Sequence, residues 1–377
     1  MNYQTYRNLP ALAGIASFAD AMRPGLSVEE CVCRLKRYHY AFKRLHGIFI
    51  GRLTAEPIYE LKMGFSLHAH YCAEHTAALR NRVGEMREPP LGLEETPHAA
   101  LEIFFDEILA APTTEELVTG LYEKALPALK AAMEQHLTVT NPLADHPSVR
   151  VLRFALLEVN EMLAYGVQTL ASLVTDAWRK DNAAWLALLD NCLAAAGGLD
   201  GLGAPLAEPA SSASASTVRA GSETGAPAKP LVRQHSAQPH VFDGTPKRDA
   251  RFPDPYNMGV NAEVFLYSDE FPPEPKTLMM FYKRLREIDV PEMMASIIAE
   301  TPGKPWGYYR DMTRQLWDEA RHAMMGEVGF VNLGIPWPDK VMVNFTWSLG
   351  LNTQLKPIER HAVLYFIEQG LMPKTGK

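Results

Sequence analysis

A chain of 377 residues, 47% hydrophobic and 21% charged, has the balance of a globular protein and enough apolar material for one large core or two moderate ones. Its net charge of −7 offers no basic field to nucleic acid, and no RRM, KH or zinc-finger pattern occurs. No apolar run approaches the roughly 18 residues of a membrane span. The start, MNYQTYRNLPALAGIASFAD, lacks the basic and apolar regions of a signal peptide. The four cysteines, Cys31, Cys33, Cys72 and Cys192, form neither a CxxC pair nor a disulfide framework, so a reducing cytoplasm is the expected setting.

Along the chain the apolar residues recur with the 3.6-residue period of amphipathic helices, and period-2 alternation is scarce. The segment SVEECVCRLKRYHYAFKRLHGIF opens with a Ser27-x-x-Glu30 capping box, which predicts a helix start. A long helix is predicted over PIYELKMGFSLHAHYCAEHTAALRNRVGEMR, stopped by Glu88-Pro89-Pro90. Shorter helical patterns follow at about 97–111 and 114–137. NPLADHPSVRVLRFALLEVNEMLAYGVQTLASLVTDAWRK, entered at Pro147, predicts another long helix, and NAAWLALLDNCLAAA a short one. Residues 197–253, with SSASAS and GAPAKP, are too poor in apolar side chains to offset the entropy of ordering, and read as a partly disordered linker or crossover. Beyond it, PKTLMMFYKRLREIDVPEMMASIIAE is helical with an interruption near Pro291, TPGKP is a turn, and WGYYRDMTRQLWDEARHAMMGEVGF is the next long helix. One or two further helices end in LKPIERHAVLYFIEQGLMPKTGK. The expected architecture is therefore all-α: a helical half at 1–196, a linker at 197–253 and a second half at 254–377, two long helices on each side packing as a four-helix bundle with a long crossover.

The chemistry-bearing candidates are acidic. Glu319 and His322 lie three residues apart, hence on one helical face, flanked by Leu316, Ala320 and Ala323. Such a pair supplies one oxygen and one nitrogen ligand from a single turn. Glu158 and Glu161 stand three apart in the apolar run VLRFALLEVNEMLAYG, where burial of two charged carboxylates demands a cation or a basic partner such as Arg80 or Arg153. Glu74 shares its stripe with Leu67, Ala77 and Ala78 and is the inward candidate of its helix, with His75 as the alternative. The helix before TPGKP offers two carboxylates. Glu292 aligns with Ile288, Ala295 and Ala299 and is favoured, although Asp289-x-x-Glu292 also fits a capping box. Glu287 shares a stripe with Arg284, as in a surface ion pair, yet a hairpin pivoting at Gly303 puts it closer in height to Glu319.

The DEARH segment at 318–322 resembles the second Glu-x-x-His of the ferritin-like di-iron carboxylate superfamily, most specifically over about 275–330 and more loosely over 56–180. The resemblance implies a ferritin-like bundle holding two irons that activate dioxygen to oxidise a substrate, with manganese as an alternative metal. In that pattern Glu319 bridges, His322 is a terminal ligand, Glu292 comes from the preceding helix, Glu158 bridges from the first half and Glu74 is its neighbour. The chain departs from it at Glu158-x-x-Glu161, where a histidine belongs: Glu161 or His75 fills the place, or a single metal binds. Small-molecule substrate and electron donor are left open, a homodimer is allowed for, and no nucleic-acid or membrane partner is expected. The rival expectation is a metal-free helical scaffold; metal storage, which needs a cage-forming oligomer, suits so long a chain poorly.

Overall fold

A computed structural model describes residues 3–203, 231–254, 260–341, 343 and 346–375. Among them all regular structure is helical and no strand occurs, as the 3.6-residue period predicted. The α-helices, in chain order, are α1 (Phe18–Met22), α2 (Val28–Leu53), α3 (Tyr59–Met86), α4 (Ala99–Leu109), α5 (Thr114–Thr119), α6 (Leu126–Val139), α7 (His146–Leu173), α8 (Asp176–Asp181) and α9 (Ala183–Ala195). They continue with α10 (Ala262–Leu266), α11 (Pro273–Arg286), α12 (Asp289–Ala299), α13 (Trp306–Asn332), α14 (Trp337–Lys340), α15 (Thr346–Gln354) and α16 (Pro357–Thr375). A π-helical turn, Gly120–Ala125, joins α5 to α6.

The capping chemistry is realised at the predicted start of α2. The Ser27 backbone N–H donates to Glu30 at 2.7 Å and the Glu30 N–H donates to Ser27 Oγ at 3.2 Å. Two boundaries differ from the sequence reading. The long pattern after Pro147 breaks at Val174, because Thr175 accepts a hydrogen bond from Trp178 N–H and starts α8. The break in the 275–300 segment falls at Glu287–Ile288, not at Pro291. Pro291 lies in the first turn of α12, where a missing N–H leaves no helical bond unmade.

The chain forms two compact units, Met1–Phe42 with Ala78–His240, and Lys43–Ala77 with Val241–Lys377. This division is not the chain-order halving expected from the sequence, since 43–77 joins the C-terminal segments. In the first unit α6 packs on α7 and α4 on α9. The buried stripe of α7 is Leu152, Ala155, Leu156, Val159, Met162 and Gly166. The expected linker is partly built into this unit. Backbone N–H groups of Gln234, His235 and Ser236 donate to the buried Glu107 carboxylate at 2.8, 2.9 and 3.1 Å, and Trp185 Nε1–H donates to it at 3.2 Å. Residues 204–230, the centre of that expected linker, lie outside the described residues.

The second unit is organised on α13. A core of Tyr59, Met63, Phe252, Tyr282, Leu285, Ile288, Ala320, Ala323, Phe330 and Trp337 surrounds it. Full burial of each large apolar side chain contributes about 1.5–3 kcal/mol. Helix α11 meets α13 at backbone distance through Gly326 and Gly329. A Cβ on Gly326 would stand 2.3 Å from Leu285 N and 2.6 Å from Phe281 O, and one on Gly329 would stand 2.4 Å from the Phe281 ring. This contact brings the C-terminal end of α11, with Glu287 as its cap residue, beside the middle of α13. The TPGKP turn pivots at Gly303, whose φ of +76° suits glycine.

Candidate metal centre

Glu319 and His322 share one face of α13, as their spacing predicted, and Glu287 reaches them from α11. His322 Nδ1 lies 3.1 Å from Glu319 Oε2 and 3.2 Å from Glu287 Oε2. The three ligand atoms fall within 4.8 Å of one another, one of two such groupings among the described residues. Glu319 is 7% exposed, whereas Glu287 and His322 are half-buried. Burial raises the Glu319 carboxyl above its ordinary value; His322 opposes that shift, and the charges of Glu287 and Glu368 reinforce it. Arg284 donates to both Glu287 oxygens at 3.1 and 3.0 Å. A cavity of about 290 Å³ adjoins the cluster, lined among others by Lys283, Arg286, Asp289, Val290, Glu319 and Trp347.

The remaining sequence candidates lie elsewhere. Glu292 is fully buried, but Lys62 Nζ donates to it at 2.6 Å, Arg248 forks onto both its oxygens, and Ser348 Oγ donates at 3.3 Å. Its carboxylate goes to these partners, so neither the small-residue pocket nor the capping box describes its role. Glu74 is on the flank of α3, with its side chain 43% exposed and 3.9 Å from Arg310. The buried stripe there is Phe65, Ala69, Cys72, Ala73 and Thr76, so the short residues Ala77 and Ala78 had marked the wrong face as inward. His75 is buried on that helix but joins neither ligand grouping. Glu158 is half-buried and Glu161 exposed on α7, in the first unit and off its buried stripe. Asp318 and Arg321, the other charged residues of the DEARH segment, pair with each other on the exposed face of α13.

Glu287 was therefore the carboxylate the sequence ranked second. The height relation across the Gly303 hairpin pointed to it; the small-residue face of α12 outweighed that signal. The second grouping, Cys31 with His136 and Asp145 in the first unit, had no signal in sequence spacing, because its members come from three separate segments. Comparison of the chain with protein-family models, with curated proteins and with solved structures gave no match.

Proposed function

We propose that this chain is an iron- or manganese-dependent oxidoreductase in which Glu287, Glu319 and His322 hold one divalent cation beside a cavity that admits a small polar substrate. The observation that carries this reading is Glu319: a buried carboxylate with a raised pKa, paired by no lysine or arginine among the described residues, whose neighbours are a second carboxylate and an imidazole. Two carboxylates and an imidazole suit a hard or borderline cation such as Fe(II) or Mn(II). Cis ligands around a six-coordinate cation with bonds of about 2.1 Å stand about 3.0 Å apart, close to the 3.1 and 3.2 Å separations at His322 Nδ1. The one-ion alternative is the one supported, because Glu74, Glu158, Glu161 and Glu292 are not in the cluster. The ferritin-like bundle stands with this proposal, supported by Glu287 reaching the Glu319-x-x-His322 turn from a neighbouring helix.

When bound, the cation would supply the redox step with dioxygen. The protein's own contribution is charge and shape. Glu287 and Glu319 together neutralise a divalent charge, and Arg284 fixes the Glu287 carboxylate from outside the cluster. The cavity lining carries Glu263, Glu287, Asp289, Glu319 and Glu368 against Lys283 and Arg286, with Lys283 paired to Glu263 at 3.1 Å. It therefore favours a cation and a neutral or basic polar substrate, while Val290 and Trp347 form its apolar part.

A metal-free scaffold is the second reading, because the same separations are hydrogen-bond lengths and an Nδ1–H of His322 would bridge both carboxylates. Anaerobic titration with Fe(II), followed calorimetrically, separates the two. The proposal expects about one equivalent to bind, with His322→Ala weakening affinity at least about 10-fold and leaving the helical circular dichroism unchanged. No Fe(II) or Mn(II) binding to the wild type overturns it in favour of the scaffold.

A further inference from the structure

The second ligand grouping lies where three helix ends meet in the first unit. Cys31 is in the first turn of α2, His136 in the last turn of α6, and Asp145 is the cap residue ahead of α7. Cys31 Sγ donates to Asp145 Oδ2 at 3.4 Å, and His136 Nε2 stands 3.8 Å from the same oxygen. All three ligand atoms lie within 4.8 Å of one another. We propose that Cys31, His136 and Asp145 form a zinc site that clips the start of α2 to the α6–α7 hairpin.

Three observations carry this. The first is the orphaned histidine. His136 is 0% exposed and neither of its ring nitrogens makes a hydrogen bond; the 3.8 Å approach to Asp145 is too long for one. Buried polar atoms are seldom left in that state. A cation at Nε2 would satisfy the nitrogen that faces the cluster. The second is Asp145. It holds a cap position, yet its side chain makes no cap hydrogen bond to α7. Its Oδ1 accepts from Arg82 at 2.9 Å, and Arg82 Nε–H donates to Ser148 Oγ at 2.8 Å. That leaves Oδ2 turned to Cys31, His136 and Thr140 Oγ1, which donates to it at 3.2 Å. An oriented carboxylate with its far oxygen tied back is the outer support that metal ligands require.

The third is the spacing. In a tetrahedral zinc site, with bonds of about 2.3 Å to sulfur and about 2.0–2.2 Å to nitrogen and oxygen, ligand atoms are separated by about 3.4–3.6 Å. The sulfur–oxygen and nitrogen–oxygen separations here, 3.4 and 3.8 Å, need a shift of only a few tenths of an ångström. A thiolate, an imidazole and one carboxylate favour zinc over the hard cations that suit Glu287, Glu319 and His322. Binding exchanges the Cys31 thiol proton, released to solvent, for the cation, with no redox change. Cys31 is 2% exposed, so the group serves structure and not attack on a substrate.

Cobalt(II) is the probe, titrated as a zinc surrogate into the metal-free full-length protein. The expected result is a thiolate-to-cobalt charge-transfer band that saturates at the intensity of one sulfur-ligated cobalt per chain and is bleached by zinc. Cys31→Ser abolishes the band and Cys33→Ser, at an exposed position, retains it. The Glu287–Glu319–His322 cluster has no sulfur and gives no such band, so the two metal proposals stand or fall separately. A wild type without the band, or a band that survives Cys31→Ser, overturns the proposal. Zinc-edge X-ray absorption on the zinc-loaded wild type needs no variant: one sulfur at about 2.3 Å is expected, and a shell of nitrogen and oxygen alone refutes the site.

Discussion

Glu292 and Glu319 are both buried glutamates of the second unit, and their surroundings push them in opposite directions. Burial would raise both. At Glu292 the charges and hydrogen bonds of Arg248 and Lys62 overcome it and hold the carboxyl below its ordinary value. At Glu319 His322 opposes burial, with Glu287 and Glu368 adding repulsion, and the carboxyl stays above it. The difference separates two uses of a buried acid. Glu292 is neutralised by its own chain and serves structure; in the proposed site, Glu319 is the acid that a cation from outside would neutralise. The environment of Glu292 is in turn costly to its partners, since burial pulls Lys62 down to about 8 and drives Asp289 well above the usual carboxylate range.

The largest expected effect comes from Glu292→Gln. It preserves shape but takes from the fully buried Lys62 the carboxylate it donates to, and leaves the fully buried Arg248 with Asp289 at 3.4 Å in place of its fork onto Glu292. Breaking a buried pair in this way costs about 3–5 kcal/mol. Guanidinium unfolding checks this, and a loss under about 1 kcal/mol would mean that Glu292 is not the structural member of the pair. Fe(II) affinity of the folded fraction is expected to stay within twofold of wild type.

Next in size is Gly326→Ala. In an exposed helix interior this change would gain up to about 1 kcal/mol in propensity. Here the new Cβ meets Leu285 N at 2.3 Å, a backbone atom that cannot rotate away. Overpacking of about 1–3 kcal/mol outweighs the gain, so the variant is destabilised. Because α11 must move off α13, Glu287 moves with it and metal affinity falls as well. Gly307→Ala on the same helix, where nothing lies within 4 Å, is the control; it is expected to be neutral or stabilising. Equal thermal shifts for the two would remove close helix contact as the device that positions Glu287.

What could be read from the sequence follows from the same contrast. Helix identity and the shared face of Glu319 and His322 were legible because both are local, fixed by a 3.6-residue period. The Ser27–Glu30 cap was legible for the same reason. The choice between Glu287 and Glu292 was not, because it depends on Arg248 and Lys62, which come from the expected linker and from the start of α3. A segment judged too polar to order supplies the guanidinium that commits Glu292, and three backbone N–H groups that hold Glu107. The rotation of α3 misled for another reason. Its two sides carry similar amounts of small and apolar side chain, so the stripe with Glu74 looked as buried as the stripe with Cys72 and Thr76. Cys31, His136 and Asp145 left no trace at all, since nothing in one segment announces the others.

The smallest effect, and the sharpest, is that of Glu319→Gln. In the metal-free protein a raised folded-state pKa means that the native state holds the Glu319 proton more tightly than the unfolded chain does. The resulting stability is fully present below the ordinary glutamate value, about 4.3, and is lost as pH rises through the raised one. Above the raised value the wild type therefore carries an unfavourable buried charge that glutamine lacks. The variant is expected to gain stability relative to the wild type as pH rises through the raised value and to lose that advantage at low pH, where the wild-type carboxyl is protonated. Saturating Fe(II) reverses the order. A ligand at 100 times its dissociation constant stabilises the native state by about 2.7 kcal/mol, which the wild type gains and the variant largely forgoes. Thermal unfolding of both proteins with and without Fe(II) reads this crossing directly. If His322 alone neutralised the cluster, iron would move neither curve, and Glu319 would be a structural acid like Glu292.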